Sequence, residues 1–152
     1  MPPIFQTAWE ELVSPLFRRP FHEQVAALCY RGKGAEKEVL LITSRGTGRW
    51  ILPKGWPMVG KNSAEAAAQE AWEEAGVVNG MPKQDPIGAF TYDKELDNGA
   101  VARCSTKVFP LRVKEMADEF PEACERTRTW VAPEEAAKMV NEPGLKKLLR
   151  RF

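Results

Sequence analysis

Little in this chain points to zinc, to a membrane or to a polyanionic partner. Cys29, Cys104 and Cys124 are its three cysteines, none in C-x-x-C spacing, and His22 is its one histidine, so the usual zinc ligand sets are missing. Free, mostly buried thiols fit a reducing compartment. The 22 Lys and Arg residues are offset by 21 Asp and Glu, which removes a global basic field for nucleic acid or anionic membrane and makes any anion site local. No apolar run approaches the ~18 residues of a membrane span. The start, MPPIFQTAWEELV, lacks the basic-then-apolar order of a signal peptide. The expectation is a soluble, cytoplasmic protein with neither a nucleic-acid nor a membrane partner, of open oligomeric state. Its 152 residues contain no repeat or low-complexity segment and suit one domain with a substantial core.

What is present begins with residues 1–21, an N-terminal extension in which Phe5, Trp9, Leu12 and Leu16 recur at near-helical spacing until Pro15 interrupts them. It reads equally as a segment packed on the domain or as a mobile arm. The domain proper runs over 22–152. Apolar, strand-like runs at Gln24–Arg31 and Glu38–Arg45 flank the glycine-bearing RGKGAEKE loop and predict a hairpin. Arg49–Leu52 is a short strand that Pro53 stops. Ile87–Leu96 and Ala100–Val113 flank Asp97-Asn98-Gly99, where Asn-Gly is a strong hairpin-turn signal. A strand over Thr127–Val131 and short helices over Pro133–Val140 and Pro143–Arg150 complete the chain. Strands with interspersed helices give an α/β fold with a mixed sheet covered by helices.

The stretch with the most chemistry is GWPMVGKNSAEAAAQEAWEEAGV, Gly55–Val77. Asn62 suits an N-cap, Glu65 stands three residues on in the capping-box position, and Gly76 suits the left-handed turn that ends a helix. At about 100° per residue, Glu70, Glu73 and Glu74 fall in one arc, and Ala64, Ala68, Ala71, Trp72 and Ala75 in the opposite one. The predicted helix therefore packs one face on the core and turns its glutamates outward. Carboxylates at i, i+3 and i+4 repel one another unless a cation sits among them, and magnesium, which takes oxygen ligands and keeps waters or substrate phosphates, suits that role. An acidic helix face is more often plain solvated surface, and spacing alone leaves both readings open.

The full pattern resembles the Nudix box, G-x5-E-x7-R-E-U-x-E-E-x-G-U with U aliphatic. It is carried here by Gly55, Glu70, Ala71, Glu73, Glu74, Gly76 and Val77, with Lys61 in place of the first glutamate and Gln69 in place of the arginine. In that family the two replaced residues pair with each other, so losing both removes an ion pair worth roughly 0–1 kcal/mol without stranding a charge. The resemblance implies an α/β/α sandwich and a Mg²⁺- or Mn²⁺-dependent pyrophosphohydrolase acting on a small phosphorylated molecule. Glu70 and Glu74 would be the main metal ligands, Glu73 a ligand or the base, and a backbone carbonyl near Lys54 or Gly55 would complete the set. Glu95 and Asp97, beside the hairpin turn, are further acids that a solvated turn explains as well.

Beyond the box, AALCYR (Ala26–Arg31), VLLITSR (Val39–Arg45), RWILPKG (Arg49–Gly55) and RTRTWVAPEEAAKMV (Arg126–Val140) are similar to the diphosphoinositol polyphosphate phosphohydrolase branch of the family. That branch also cleaves diadenosine polyphosphates. By this resemblance Ser44, Arg45 and Lys54 lie near substrate, and Arg126 and Arg128 supply positive charge. The basic cluster expected before the first strand is instead His22, Glu23 and Gln24, and that after Phe90 is Asp93-Lys94-Glu95, which favours a nucleotide derivative over a highly phosphorylated inositol. Strand alternation puts Arg103, Ser105 and Lys107 on one face and Arg126, Arg128 and Trp130 on another, as phosphate contacts or solubilising residues. Trp50, Trp56 and Trp130 invite base stacking or ordinary packing, and Trp56, in the box loop, is the one beside the metal site. A Nudix-fold module that senses a nucleotide without turning it over is the alternative function.

Overall fold

A strand buried on both faces organises the domain. The computed structural model describes residues 21–152, so the expected extension, apart from Phe21, lies outside the described residues. Gln24 through Cys29 are all buried in β1 (His22–Arg31), the pattern of a strand covered on both sides. β2 (Glu38–Thr43), β3 (Trp50–Ile51), β4 (Lys54–Gly55), β5 (Gly88–Glu95), β6 (Val101–Arg112) and β7 (Arg128–Val131) complete a seven-stranded sheet. Its main path runs β3-β2-β1-β6-β5, with β4 added to β1 and β7 to β2. β1 and β6 pair in parallel from His22↔Cys104 to Tyr30↔Arg112, and every other pairing is antiparallel.

Period-two alternation along β1 and β2 feeds two cores. Val25, Ala27, Cys29, Leu40 and Ile42 face α1 (Ser63–Ala75), whose Ala64, Ala67, Ala71 and Ala75 lie against them. Small side chains let this helix approach the sheet closely. Ala26, Leu28, Val39 and Leu41 face the other way, onto Ala136 and Ala137 of α2 (Pro133–Met139) and Leu145, Leu148 and Leu149 of α3 (Pro143–Arg151). Two helical layers on one mixed sheet make the expected α/β/α sandwich.

The ends of α1 follow the sequence. Asn62 Oδ1 accepts from the Glu65 N–H at 2.8 Å, and Glu65 Oε1 accepts from the Asn62 N–H at 3.2 Å, a complete capping box. Gly76 closes the helix at φ 73°, where an added Cβ would stand 2.6 Å from the Phe120 ring and 2.8 Å from the Ala117 carbonyl. The Asn98-Gly99 turn also forms, with the Leu96 N–H donating to the Ala100 carbonyl at 2.8 Å and Gly99 at φ 80°.

Other boundaries differ for local reasons. β2 ends at Thr43 rather than Arg45, because Ser44 turns to bond Arg49: its N–H donates to the Arg49 carbonyl at 2.7 Å and its Oγ accepts from the Arg49 N–H at 3.0 Å. β7 starts at Arg128 rather than Thr127. Lys54–Gly55, expected as loop, forms β4 against Ala26 and Val25. Replacing Asn62 with Ala removes half of the capping box and the bond from Asn62 Nδ2 to Gln84. Urea unfolding should show a loss of about 1 kcal/mol, and an unchanged midpoint would show that the cap adds no stability.

Candidate active site

β4 and α1 bring backbone and carboxylate into contact. A Cβ on Gly55 would meet the Glu70 carboxylate, so glycine lets the strand end lie against that carboxylate without displacing it. Glu74, one turn on, is 6% exposed. Its Oε1 accepts from the Lys54 N–H at 3.1 Å, and its Oε2 lies 3.3 Å from Arg126 Nη2. The outward face expected for all three glutamates is thus corrected at Glu74. The reason is tertiary: residues 115–122 run beside the C-terminal end of α1, the Glu122 N–H donating to the Glu73 carbonyl at 3.0 Å, and Arg126 follows to compensate the buried charge. Glu73 is half-buried, and its Oε1 accepts from Gln69 Nε2 at 2.9 Å.

Burial first, then the neighbouring charges of Glu74 and Glu73, push the Glu70 carboxyl up to about 8. Burial also raises Glu74, against the lowering effects of Arg126 and the Lys54 N–H. Two adjacent carboxyls with raised proton affinity form a donor set that favours an added cation. With the backbone at Gly55 beside them, they fit a divalent ion that keeps further sites for water and phosphate. Among the described residues, no three His, Cys, Asp or Glu side chains are grouped as a metal cage. The fit therefore rests on Glu70, Glu74 and backbone.

A cleft of about 890 Å³ opens over this pair, lined also by Ser44, Arg45, Lys54, Trp56 and Arg126. Lys54 is half-buried, its Nζ 5.1 Å from the Tyr92 ring centroid. Burial pulls its ammonium down to about 8, although Glu74 and Glu142 act the other way. Arg45 is 61% exposed at its side chain and pairs with Glu122 at 3.5 Å and Glu125 at 3.6 Å. Ser44 Oγ, shared by Thr47 and the Arg49 N–H, shapes the loop at the rim.

The two arginines expected to supply charge are occupied by the fold. The Arg126 side chain is 6% exposed and binds Glu74, Glu122 and the Thr43 carbonyl. Arg128 donates to the Ala75 and Ala117 carbonyls at 3.0 and 2.8 Å and stacks on Phe120, outside the residues that line the cleft. Arg103, Lys107 and Trp130 are likewise absent from its walls; Arg103 pairs with Asp93 at 3.6 Å and Trp130 packs on the α1-side core. Glu95 and Asp97 line the cleft. Lys61 and Gln69 both line a separate groove with Trp72 and Met81.

Sequence reasoning missed Glu122, which joins Arg45 and Arg126 and ties its own backbone to α1. It lies in an irregular segment with no periodicity, and the RTRTW stretch just after it was the nearest signal. Tyr92, whose hydroxyl donates to Gln24 Oε1 beneath the cleft, also carried no motif.

Comparison with known proteins agrees with this geometry. A family model described as "NUDIX domain" matches residues 20–152, and the chain belongs to that family. It is 32% identical over 120 residues to Nudix hydrolase 13, mitochondrial, of Arabidopsis thaliana, covering 76% of this chain and 59% of the relative. It is 29% identical over 122 residues to mouse diphosphoinositol polyphosphate phosphohydrolase 3-alpha, covering 79% and 70%. The chain spans between 58% and 66% of the length of three plant relatives. The crystal structure of a C. elegans Ap4A hydrolase binary complex superposes with a TM-score of 0.63 at 23% identity, over 86% of this chain and 94% of that one, which establishes the shared fold.

Two outcomes test the site's framework. Arg126→Met leaves Glu74 buried without its cation, so urea unfolding should show a loss of about 3 kcal/mol; a loss below about 0.5 kcal/mol, the range of ordinary surface changes, would mean that Glu74 is compensated elsewhere. Because Lys61 and Gln69 line a groove apart from the cleft, restoring the box as Lys61→Glu with Gln69→Arg should shift stability by no more than ~1 kcal/mol and leave KM for a diphosphate substrate nearly unchanged. A KM that climbs steeply at low salt would instead place Lys61 against a substrate phosphate.

Proposed function

We propose that the protein is a divalent-metal-dependent pyrophosphohydrolase, with Mg²⁺ as its metal and Mn²⁺ as a substitute. Its substrate is a small molecule with a diphosphate linkage, a nucleotide derivative such as a dinucleoside polyphosphate, or a diphosphoinositol polyphosphate. The observation that carries this reading is the Glu70–Glu74 pair set against Gly55, in a cleft that also presents Lys54 and Arg45. When bound, the ion neutralises and orients the diphosphate and lowers the pKa of a water. Glu70 and Glu74 hold it, and Lys54 and Arg45 meet the phosphates. Glu73, which accepts from Gln69, would be a further ligand or the base for that water. Ser44 sets the loop that carries Arg45.

The names of relatives support this class: mouse diphosphoinositol polyphosphate phosphohydrolase among curated proteins, and an Ap4A hydrolase among those of like fold. Arg126 acts on Glu74 rather than on substrate, and Arg128 holds the end of α1. A cytoplasmic location belongs to the same proposal, consistent with free thiols at Cys29, Cys104 and Cys124, although plant relatives are named mitochondrial and chloroplastic. Among the described residues, no helix is long and apolar enough to cross a membrane.

A panel of diphosphate compounds, incubated with Mg²⁺ and read by product mass, should show cleavage of the anhydride. Glu70→Gln and Glu74→Gln should each lower turnover by at least ~10²-fold while the fold survives. Near-normal turnover in both variants would remove the pair from the mechanism. Metal-dependent nucleotide binding by the wild type without turnover would identify a sensor module.

A further inference from the structure

One wall of the cleft carries an apolar surface that folding leaves uncovered. Trp50 and Trp130 pack against the two cores, whereas Trp56 is 41% exposed and lines the cleft beside Gly55 and Glu70. Its neighbours hold the ring without stacking on it. His22 stands at 73° to it with centroids 6.2 Å apart. Lys94 Nζ lies 5.9 Å from the ring centroid, the outer limit of a cation–π contact. At the β5 side of the cleft, Asp93, Glu95 and Asp97 form a wall in which Lys94 is the accompanying cation, and Arg103 pairs with Asp93 at 3.6 Å.

An open indole and an acidic wall suit one kind of ligand. A nucleobase stacks on an aromatic ring through its π face, and carboxylates accept hydrogen bonds from its exocyclic amine. A highly phosphorylated inositol has no π face to stack, and its charges would be repelled by Glu95 and Asp97, the wall's acids other than the Arg103-paired Asp93. The cations suited to phosphate, Lys54 and Arg45, line the same cleft together with Glu70 and Glu74. We propose that Trp56 is the platform for the nucleobase of a nucleoside-diphosphate substrate, with the acidic wall selecting against polyphosphorylated inositols. The role rests on the reading above in taking this cleft as the ligand site, and it concerns binding rather than turnover.

Calorimetric titration of the full chain in Mg²⁺ with ADP, and separately with inorganic pyrophosphate, tests the assignment. Trp56→Ala should weaken ADP binding at least ~10-fold, the loss of one base–aromatic stack, and leave pyrophosphate affinity unchanged. Trp56→Phe, which keeps an aromatic face, should recover most of the loss. Thermal melting checks that each variant is folded, and Trp56→Leu replaces the alanine variant if that one is not. The proposal is overturned if the wild type does not bind ADP, if ADP affinity is unaffected, or if both ligands weaken equally. It is also overturned if a diphosphoinositol polyphosphate binds more tightly than ADP and is indifferent to the substitution. Trp56-dependent ADP binding without turnover of any diphosphate would support the platform while removing the hydrolase reading.

Discussion

Glu74 carries a charge that its surroundings must neutralise. An ionised carboxylate taken out of water costs several kcal/mol unless it is paired and hydrogen-bonded. Here the Arg126 guanidinium and the Lys54 backbone N–H supply that compensation. Each partner comes from a different part of the chain: Arg126 from just before β7, Lys54 from β4 on the central strand β1. Satisfying one carboxylate therefore fixes the position of α1, the strand end at Gly55 and the segment that carries Glu122. Arg126 is itself shared with Glu122 and the Thr43 carbonyl, so the compensation extends to the end of β2.

This arrangement gives neighbouring glutamates different roles. Glu70 lies beside Gly55, half-buried and, among the described residues, without an arginine of its own, and burial with the charges of Glu74 and Glu73 raises its proton affinity. The site is held ready by Arg126 on one side and left short of positive charge on the other. Replacing the usual arginine of the box by Gln69 adds a local effect, because a neutral amide now occupies the Glu73 carboxylate. Arg128, binding the Ala75 and Ala117 carbonyls, secures the end of α1 and the segment that supplies Glu122.

The cleft is uneven along its length. Lys54 and Arg45 provide cationic contacts, whereas β5 and its turn contribute acids beside the exposed Trp56 ring. Such a surface puts cations, acids and an open aromatic ring in one cavity. The part-buried Gln24–Tyr92 contact in its wall ties β5 to β1, so the acidic residues of β5 stand on the same sheet as the Lys54–Gly55 backbone.

Local physics made much of the fold legible. Capping at Asn62 and Glu65, termination at Gly76 and the Asn98-Gly99 turn depend on neighbours in sequence, and each formed as read. The glutamate spacing and the glycine of the loop likewise marked residues that the fold brings together in the cleft. What spacing did not contain was burial. A helix has as many surroundings as the fold gives it, and the segment beside the end of α1 turned Glu74 from an outward residue into a buried one. The short strand β4 and the engagement of Arg126 by Glu74 arise from pairings across ~30–50 residues, invisible to any local window. By itself, the sequence determined most of the elements, the caps of α1, the Asn98-Gly99 turn and the residue types available at the cleft, because those follow from backbone propensity and side-chain chemistry. Only the tertiary structure decided which carboxylates converge, which cations are spent on holding them and which ring remains open, because burial and charge compensation are properties of contacts between distant parts of the chain.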